Sequence, residues 1–276
     1  MEKRERIIMM NKIGISESAL RDKAQFIYNW YKGWLRKNVD PENCIMQMIN
    51  LQKPEGRFEL IFLARLFNNY ISEEKVIDKF NVLKRWFLQK GFSYTINNTT
   101  IGVINYNILK DEHNEVNREF KILFSSELPK TKTFNPDNNY NDIIANATAF
   151  SDFDLLYYIN EVNDQKDLLD VITGRLHGIK VKSFLIVREM YKAGLWNLKE
   201  KDLWMCCVPD SKVRAYLNDN GFIPEKIRIE KGQREYALNQ LKEYSKIIWK
   251  YFNEPFEEKH FDLPIFRYLK CKRVTC

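Results

Sequence analysis

Between residues 152 and 253 the chain repeats one pattern, an apolar residue at every third or fourth position, over segments of helical length joined by short connections. The segments are DFDLLYYINEV, KDLLDVITGRL, VKSFLIVREMYKAG, DSKVRAYLNDNG and REYALNQLKEYSKIIWKYFN. Each can hide its apolar stripe only against another element, so this part of the molecule is predicted to be a packed helical lobe. FDLPIFRYLKCKR, 261 to 273, is expected to pack onto that lobe and close it.

The N-terminal part follows the same rule. In SALRDKAQFIYNWYKGWLR, 18 to 36, the residues Leu20, Ala24, Ile27, Tyr31 and Trp34 fall on one helical stripe that would face a core. FELIFLARLF, 58 to 67, is apolar enough for a largely buried helix, and SEEKVIDKFNVLKRWFLQKG, 72 to 91, has Ser72 to cap its start and Gly91 to end it. From 92 the character changes. FSYTINNTTIGVINYNIL alternates β-branched and aromatic residues around an Asn-rich turn, REFKILFSS (118 to 126) reads as another short strand, and LPKTKTFNPDNNYND (128 to 142) as a loop. The expected fold class is mainly α and two-lobed, with a small β-rich insertion and a cleft between the lobes. Its parts would be a helical segment at 1–91, the insertion at 92–150, and a helical lobe at 151–276.

Composition narrows the function classes. A hydrophobic fraction of 45%, a charged fraction of 29% and a mean hydropathy of -0.47 describe a soluble globular protein. No run of eighteen apolar residues occurs, and MEKRERIIMMNK has a basic segment without the apolar stretch of a signal peptide. A cytoplasmic monomer with no membrane partner is therefore expected, nucleoid-associated when bound to DNA. Cys44, Cys206, Cys207, Cys271 and Cys276 form no disulfide framework and fit reduced thiols. Only Cys271 and Cys276 have a ligand-like spacing, and His113, His177 and His260 form no short metal motif, so no metal and no cofactor is expected. The formal charge of +7 is modest, but the basic residues gather at Lys3 to Arg6, Arg175 to Lys192, Lys226 to Arg234 and Lys270 to Arg273. Such clustering points to a polyanion.

The second cluster contains LHGIKVKSFLIVREM, 176 to 190. A helix ending near Leu176, a turn His177-Gly178-Ile179-Lys180, and a helix beginning around Val181 make a helix-hairpin-helix. Gly178 would supply the unusual backbone angles and the close approach. Amides at the start of the second helix, its dipole and Lys180 together suit a phosphate oxygen of a nucleic-acid backbone.

LHGIKVKSFLIVREM followed by VPDSKVRAYL resembles the helix-hairpin-helix DNA glycosylase superfamily of base-excision repair, whose members carry an L-P-G-[IV]-G-x-K hairpin and then a P-x-D-x-x-V-R-type helix start. The resemblance covers 176 to 217 well and extends weakly to FELIFLARLFNNYIS, where Asn68 and Asn69 occupy the place of the family's Leu-Ser-Gln-Gln-like ending. It implies a lysine nucleophile at Lys182 and a catalytic aspartate at Asp210. His177 stands where the family has proline, Lys180 where it has the second hairpin glycine, and KAGLWNLKEKDLW makes a longer connection than is common. No iron–sulfur cysteine cluster follows the motif, so the likeness is to the cluster-free, bifunctional, 8-oxoguanine glycosylase-like branch. An oxidised purine is the substrate that the resemblance implies, and double-stranded DNA the partner.

The chemistry asks for these residue types on its own account. Cleaving an N-glycosidic bond builds positive charge on the deoxyribose, which a carboxylate such as Asp210 stabilises. A neutral Lys182 amine can attack C1′ and leave a Schiff base that permits β-elimination, and burial or the cations Lys180 and Arg188 would favour the neutral amine. The target base must be flipped into a pocket.

Each residue also has a plain structural reading. Asp210 after Pro209 is a good N-cap, commoner than a catalytic aspartate, and it can be both. Lys180 and Lys182 alone would read as solvated; their occurrence with Gly178 and PDSKVR favours the active site. Arg214 would brace a carboxylate or phosphate, and His177 would touch the DNA strand or simply be exposed. Trp196, Trp204 and Trp249 read as core before pocket, Phe184, Leu185, Val187 and Met190 as packing, and Cys206 and Cys207 as buried thiols. The expected function is a DNA glycosylase with abasic-site lyase activity. Its rivals are a non-catalytic helix-hairpin-helix DNA-binding protein and a helical adaptor with no nucleic-acid role.

Overall fold

In the computed structural model the described residues are 15–40, 49–66, 76–82, 85, 94–96, 99–101, 115–127, 141–142, 145–146, 168–223, 237–252 and 259–272. The segment 152–162, the ends Ser72 and Gly91, the loop at 128–140, the basic groups at 3–6 and 226–234, and the residues Asn68, Asn69, Cys44, His113 and Cys276 lie outside them. In chain order the elements are α1 (Glu17–Leu35), α2 (Pro54–Leu66), β1 (Tyr94–Ile96), β2 (Thr99–Ile101), α3 (Glu115–Glu127), α4 (Leu168–Arg175), α5 (Ser183–Lys192), α6 (Ser211–Asp219), α7 (Leu238–Phe252) and α8 (Leu263–Cys271). Short 3₁₀ turns at Lys180–Lys182 and Glu200–Cys206 lead into α5 and towards α6. The protein is mainly α-helical. No helix among the described residues is long and apolar enough to cross a membrane.

The chain divides into two compact units, one of Met1–Asn38 with Leu203–Cys276, the other of Val39–Asp202. In the first, α7 and α8 pack on α1, and α6 packs on α8. Helix α1 starts where Ser16 takes the Ala19 N–H at 3.2 Å, which satisfies one of the donors that a helix start leaves open. Its buried stripe is Leu20, Ala24, Ile27, Tyr28 and Tyr31. Trp34, expected on that stripe, is only half-buried, as is Leu35, since the buried stripe ends at Tyr31 one turn before the end of the helix.

In the second unit α5 is the central element. It packs against α2 and α4, and every residue from Ser183 to Met190 is buried. Phe184, Leu185, Val187 and Met190 are among them, as is Arg188. Enclosing a guanidinium requires a partner: the Arg188 Nε donates to the Glu189 carboxylate at 2.9 Å, and Lys192 approaches the same oxygen at 3.8 Å. Helix α5 ends in a Schellman turn, with the Gly194 N–H on the Tyr191 carbonyl and the Leu195 N–H on that of Met190.

The strands β1 and β2 form an antiparallel hairpin with Tyr94 opposite Ile101 and Ile96 opposite Thr99. REFKILFSS, expected as a strand, is helical: residues 118 to 126 lie in α3. The apolar positions 116, 120, 123 and 124 recur at the helical interval, and Glu115 places a carboxylate in the first turn, where the helix dipole favours it.

Candidate active site at the hairpin

Helix α4 ends at Arg175, and the Leu176 N–H still reaches the Ile172 carbonyl at 2.9 Å. The chain then reverses through His177 and Gly178, with Gly178 in the left-handed region at φ +69. Leu176 and Ile179, both buried, pin the two sides of the turn into the core, while His177, Gly178 and Lys180 face solvent. After Ile179 one 3₁₀ turn, Lys180–Lys182, precedes the α-helix, so α5 begins at Ser183 and not at Val181. The Ser183 N–H donates to the Ile179 carbonyl at 2.7 Å and its hydroxyl to the Lys180 carbonyl at 2.8 Å, which locks that turn. Lys182 occupies the N-cap position of α5 and is half-buried.

Three residues that the sequence did not single out hold this hairpin from behind. The buried Asn146 side chain accepts the His177 N–H at 2.6 Å and donates to the His177 carbonyl at 3.0 Å. Arg65 donates to one oxygen of Asp142 through Nε at 2.8 Å and through Nη2 at 2.6 Å. That ion pair lies directly against Gly178: a Cβ there would stand 2.3 Å from the Asp142 Oδ2 and 2.5 Å from the Arg65 Nε. The glycine is thus required twice, by its backbone angle and by the charged pair on which it rests. Burial pulls the Arg65 guanidinium below its ordinary value, and Asp142 acts in the opposite direction.

Asp210 and Arg214 stand together in the other unit, at the start of α6. The Asp210 backbone is extended at φ -59 and ψ 157, and its carboxylate accepts the Lys212 N–H at 2.9 Å. Asp210 is therefore the N-cap of α6, and one of its carboxylate oxygens is engaged by its own helix. The Arg214 N–H closes the first turn on the Asp210 carbonyl at 2.8 Å, and its side chain is half-buried. The approach to this cap is fixed by two buried groups. Asp262 accepts the Val208 N–H at 2.9 Å, and the Ser245 hydroxyl reaches the carbonyls of Trp204 and Cys207. Cys206 and Cys207 are buried. Further along α6, burial first and Tyr268 second push the Tyr216 hydroxyl up to about 12.

No protein-family model, curated protein or solved structure matches this chain. The residues alone carry the functional reading. Trp196, as expected, is buried, and its indole N–H meets no acceptor among the described residues. Trp204 and Trp249 are half-buried, the latter against Phe261 at 6.1 Å between ring centres.

Proposed function

We propose that this protein is a DNA glycosylase with associated abasic-site lyase activity, built on a helix-hairpin-helix, glycosylase-like fold and acting on double-stranded DNA. The observation that carries the reading is the hairpin: a left-handed Gly178, buried pins at Leu176 and Ile179, solvent-facing His177, Gly178 and Lys180, and Lys182 at the first turn of α5. A positive helix start beside a lysine is a phosphate site, and backbone contacts of that kind set the register of a duplex without reading its sequence.

In this reading Lys182 is the nucleophile. Its amine nitrogen bonds to C1′ as the bond from C1′ to the base breaks, and the base leaves with the electron pair and takes up a proton. Opening of the sugar ring gives a Schiff base, and loss of a C2′ proton then expels the 3′ phosphate, which cuts the strand. Asp210 stabilises the positive charge that develops on the sugar. Arg214 braces a phosphate, and an oxidised purine is the default base from the likeness of the motif.

The test is strand scission on a duplex with a single abasic site. Wild-type protein cuts it without alkali and Lys182→Gln does not. Equal scission by both proteins, or by neither, contradicts the assignment. The capping bond from Asp210 to Lys212 favours one rival, a DNA-binding protein with the same hairpin and no chemistry. That protein binds the duplex with a salt-dependent affinity and leaves it intact.

A further inference from the structure

We infer that the edge of α1 that carries Phe26, Trp30 and Trp34, with Tyr268 and Lys272 of α8 beside it, is a binding platform for an unpaired nucleic-acid strand. The three rings stand four residues apart, so they follow one line along the helix at about 6 Å per step. Phe26 leaves 61% of its surface in solvent, and Trp30 and Trp34 are partly exposed. They are not loose. The Tyr268 ring meets Phe26 edge-on at 6.0 Å and Trp30 at 5.3 Å, and Trp30 and Trp34 lie at 6.4 Å with planes 21° apart. A row of flat faces held in place by a buried buttress loses little freedom when a base stacks on it.

Cations outnumber carboxylates beside the row. Lys23 lies on the same edge of α1 by helical rotation, Lys37 follows just past the end of that helix, and the Lys272 ammonium sits 4.9 Å over the Tyr268 ring. Lys37 and Lys272 are exposed. The carboxylate on this line is Asp22, one turn before Phe26, so it stands at the end of the row and the cations stand along it. Aromatic faces interleaved with cations match a single strand, whose bases offer free faces and whose phosphates track the lysines. Bases stacked within a duplex offer none. The inference does not rest on the hairpin, since every residue in it belongs to α1, α8 and their ends.

The experiment is fluorescence anisotropy of a labelled oligothymidylate with the full chain, over a range of salt. Wild-type protein binds it, and Phe26→Ala weakens binding about fivefold or more with an unchanged Tm, because Phe26 is mostly exposed. Lys37→Gln with Lys272→Gln lowers the slope of log affinity against log salt by about 1.4. Lys180→Gln, on the hairpin, leaves binding to this oligomer as it was. Absence of oligothymidylate binding overturns the inference. So does wild-type affinity in Phe26→Ala, or binding to phosphatidylserine vesicles that fails in the α1 variants while oligomer binding persists. A hairpin without lyase activity leaves these outcomes untouched, so the two readings fail separately.

Discussion

The Asn146 carboxamide closes on the backbone of His177 from both sides, accepting its N–H at 2.6 Å and donating to its carbonyl at 3.0 Å. One buried side chain thereby satisfies both polar groups of the hairpin's leading residue. Asn146→Ala removes both partners at once and is expected to lower stability by about 1–2 kcal/mol, with affinity for duplex DNA falling alongside. Urea denaturation reads it as a lower midpoint with an unchanged slope. Asn146→Asp sets a carboxylate oxygen against the His177 carbonyl in a buried position, so its midpoint at neutral pH falls at or below that of Asn146→Ala.

Two glycines separate backbone strain from close approach. Gly178 and Gly194 share nearly the same left-handed angle, at φ +69 and φ +70, but a Cβ at 194 would meet nothing within 4 Å. Gly194→Ala therefore costs only the strain, about 1 kcal/mol. Gly178→Ala adds a collision with the Arg65–Asp142 pair and is expected to be the more destabilising of the two by at least about 1 kcal/mol. Equal losses in thermal unfolding would show that the ion pair yields freely.

The observed cap at Asp210 and its proposed part in base release can be separated by conservative substitution. Asp210→Ala loses the cap on Lys212 and about 1 kcal/mol of stability. Asp210→Asn keeps a capping oxygen, so it restores the Tm but not the base release, which needs the charge. If Asn restores both, the aspartate is a cap and nothing more.

The start of α1 and the end of α7 form an acid-sensitive contact. Tyr251 first and Lys250 second hold the Glu17 carboxyl below its ordinary 4.5, through bonds of 2.6 Å and 3.0 Å. A carboxyl whose folded value is lowered adds stability above the ordinary value and loses it as pH falls through the lowered one. Lys250 is raised by Glu17, then Tyr251, so its share is present below 10.5 and is lost at higher pH. Glu17→Gln is thus expected to lower the Tm by a constant amount at neutral pH, with the difference closing below about pH 4. A gap that persists into acid would assign the loss to packing.

The helical elements were legible because their information is local. Ser16, the stripe from Leu20 to Tyr31, and the run from Phe184 to Met190 declare themselves within a few residues. The turn at Gly178 was legible for the same reason. What stood behind it was not: Asn146 reaches His177 across 31 positions and Arg65 reaches Asp142 across 77, and no local spacing marks such pairs. At 118–126 β-branched and aromatic letters suggested a strand, and the helical recurrence of the same letters decided the outcome. The cap at Asp210 was readable from Pro209 and Ser211, whereas the grip of Asp262 on Val208, 54 positions away, was not.

The central claim is that Lys182 forms a covalent bond to the sugar of a damaged nucleotide. The measurement is borohydride trapping on duplexes carrying 8-oxoguanine, uracil, an oxidised pyrimidine or an abasic site, with the adducted peptide identified by mass spectrometry. The account predicts an adduct on Lys182, absent in Lys182→Gln and reduced in Asp210→Asn. No adduct on any of these duplexes, or one mapped to another lysine, would contradict it.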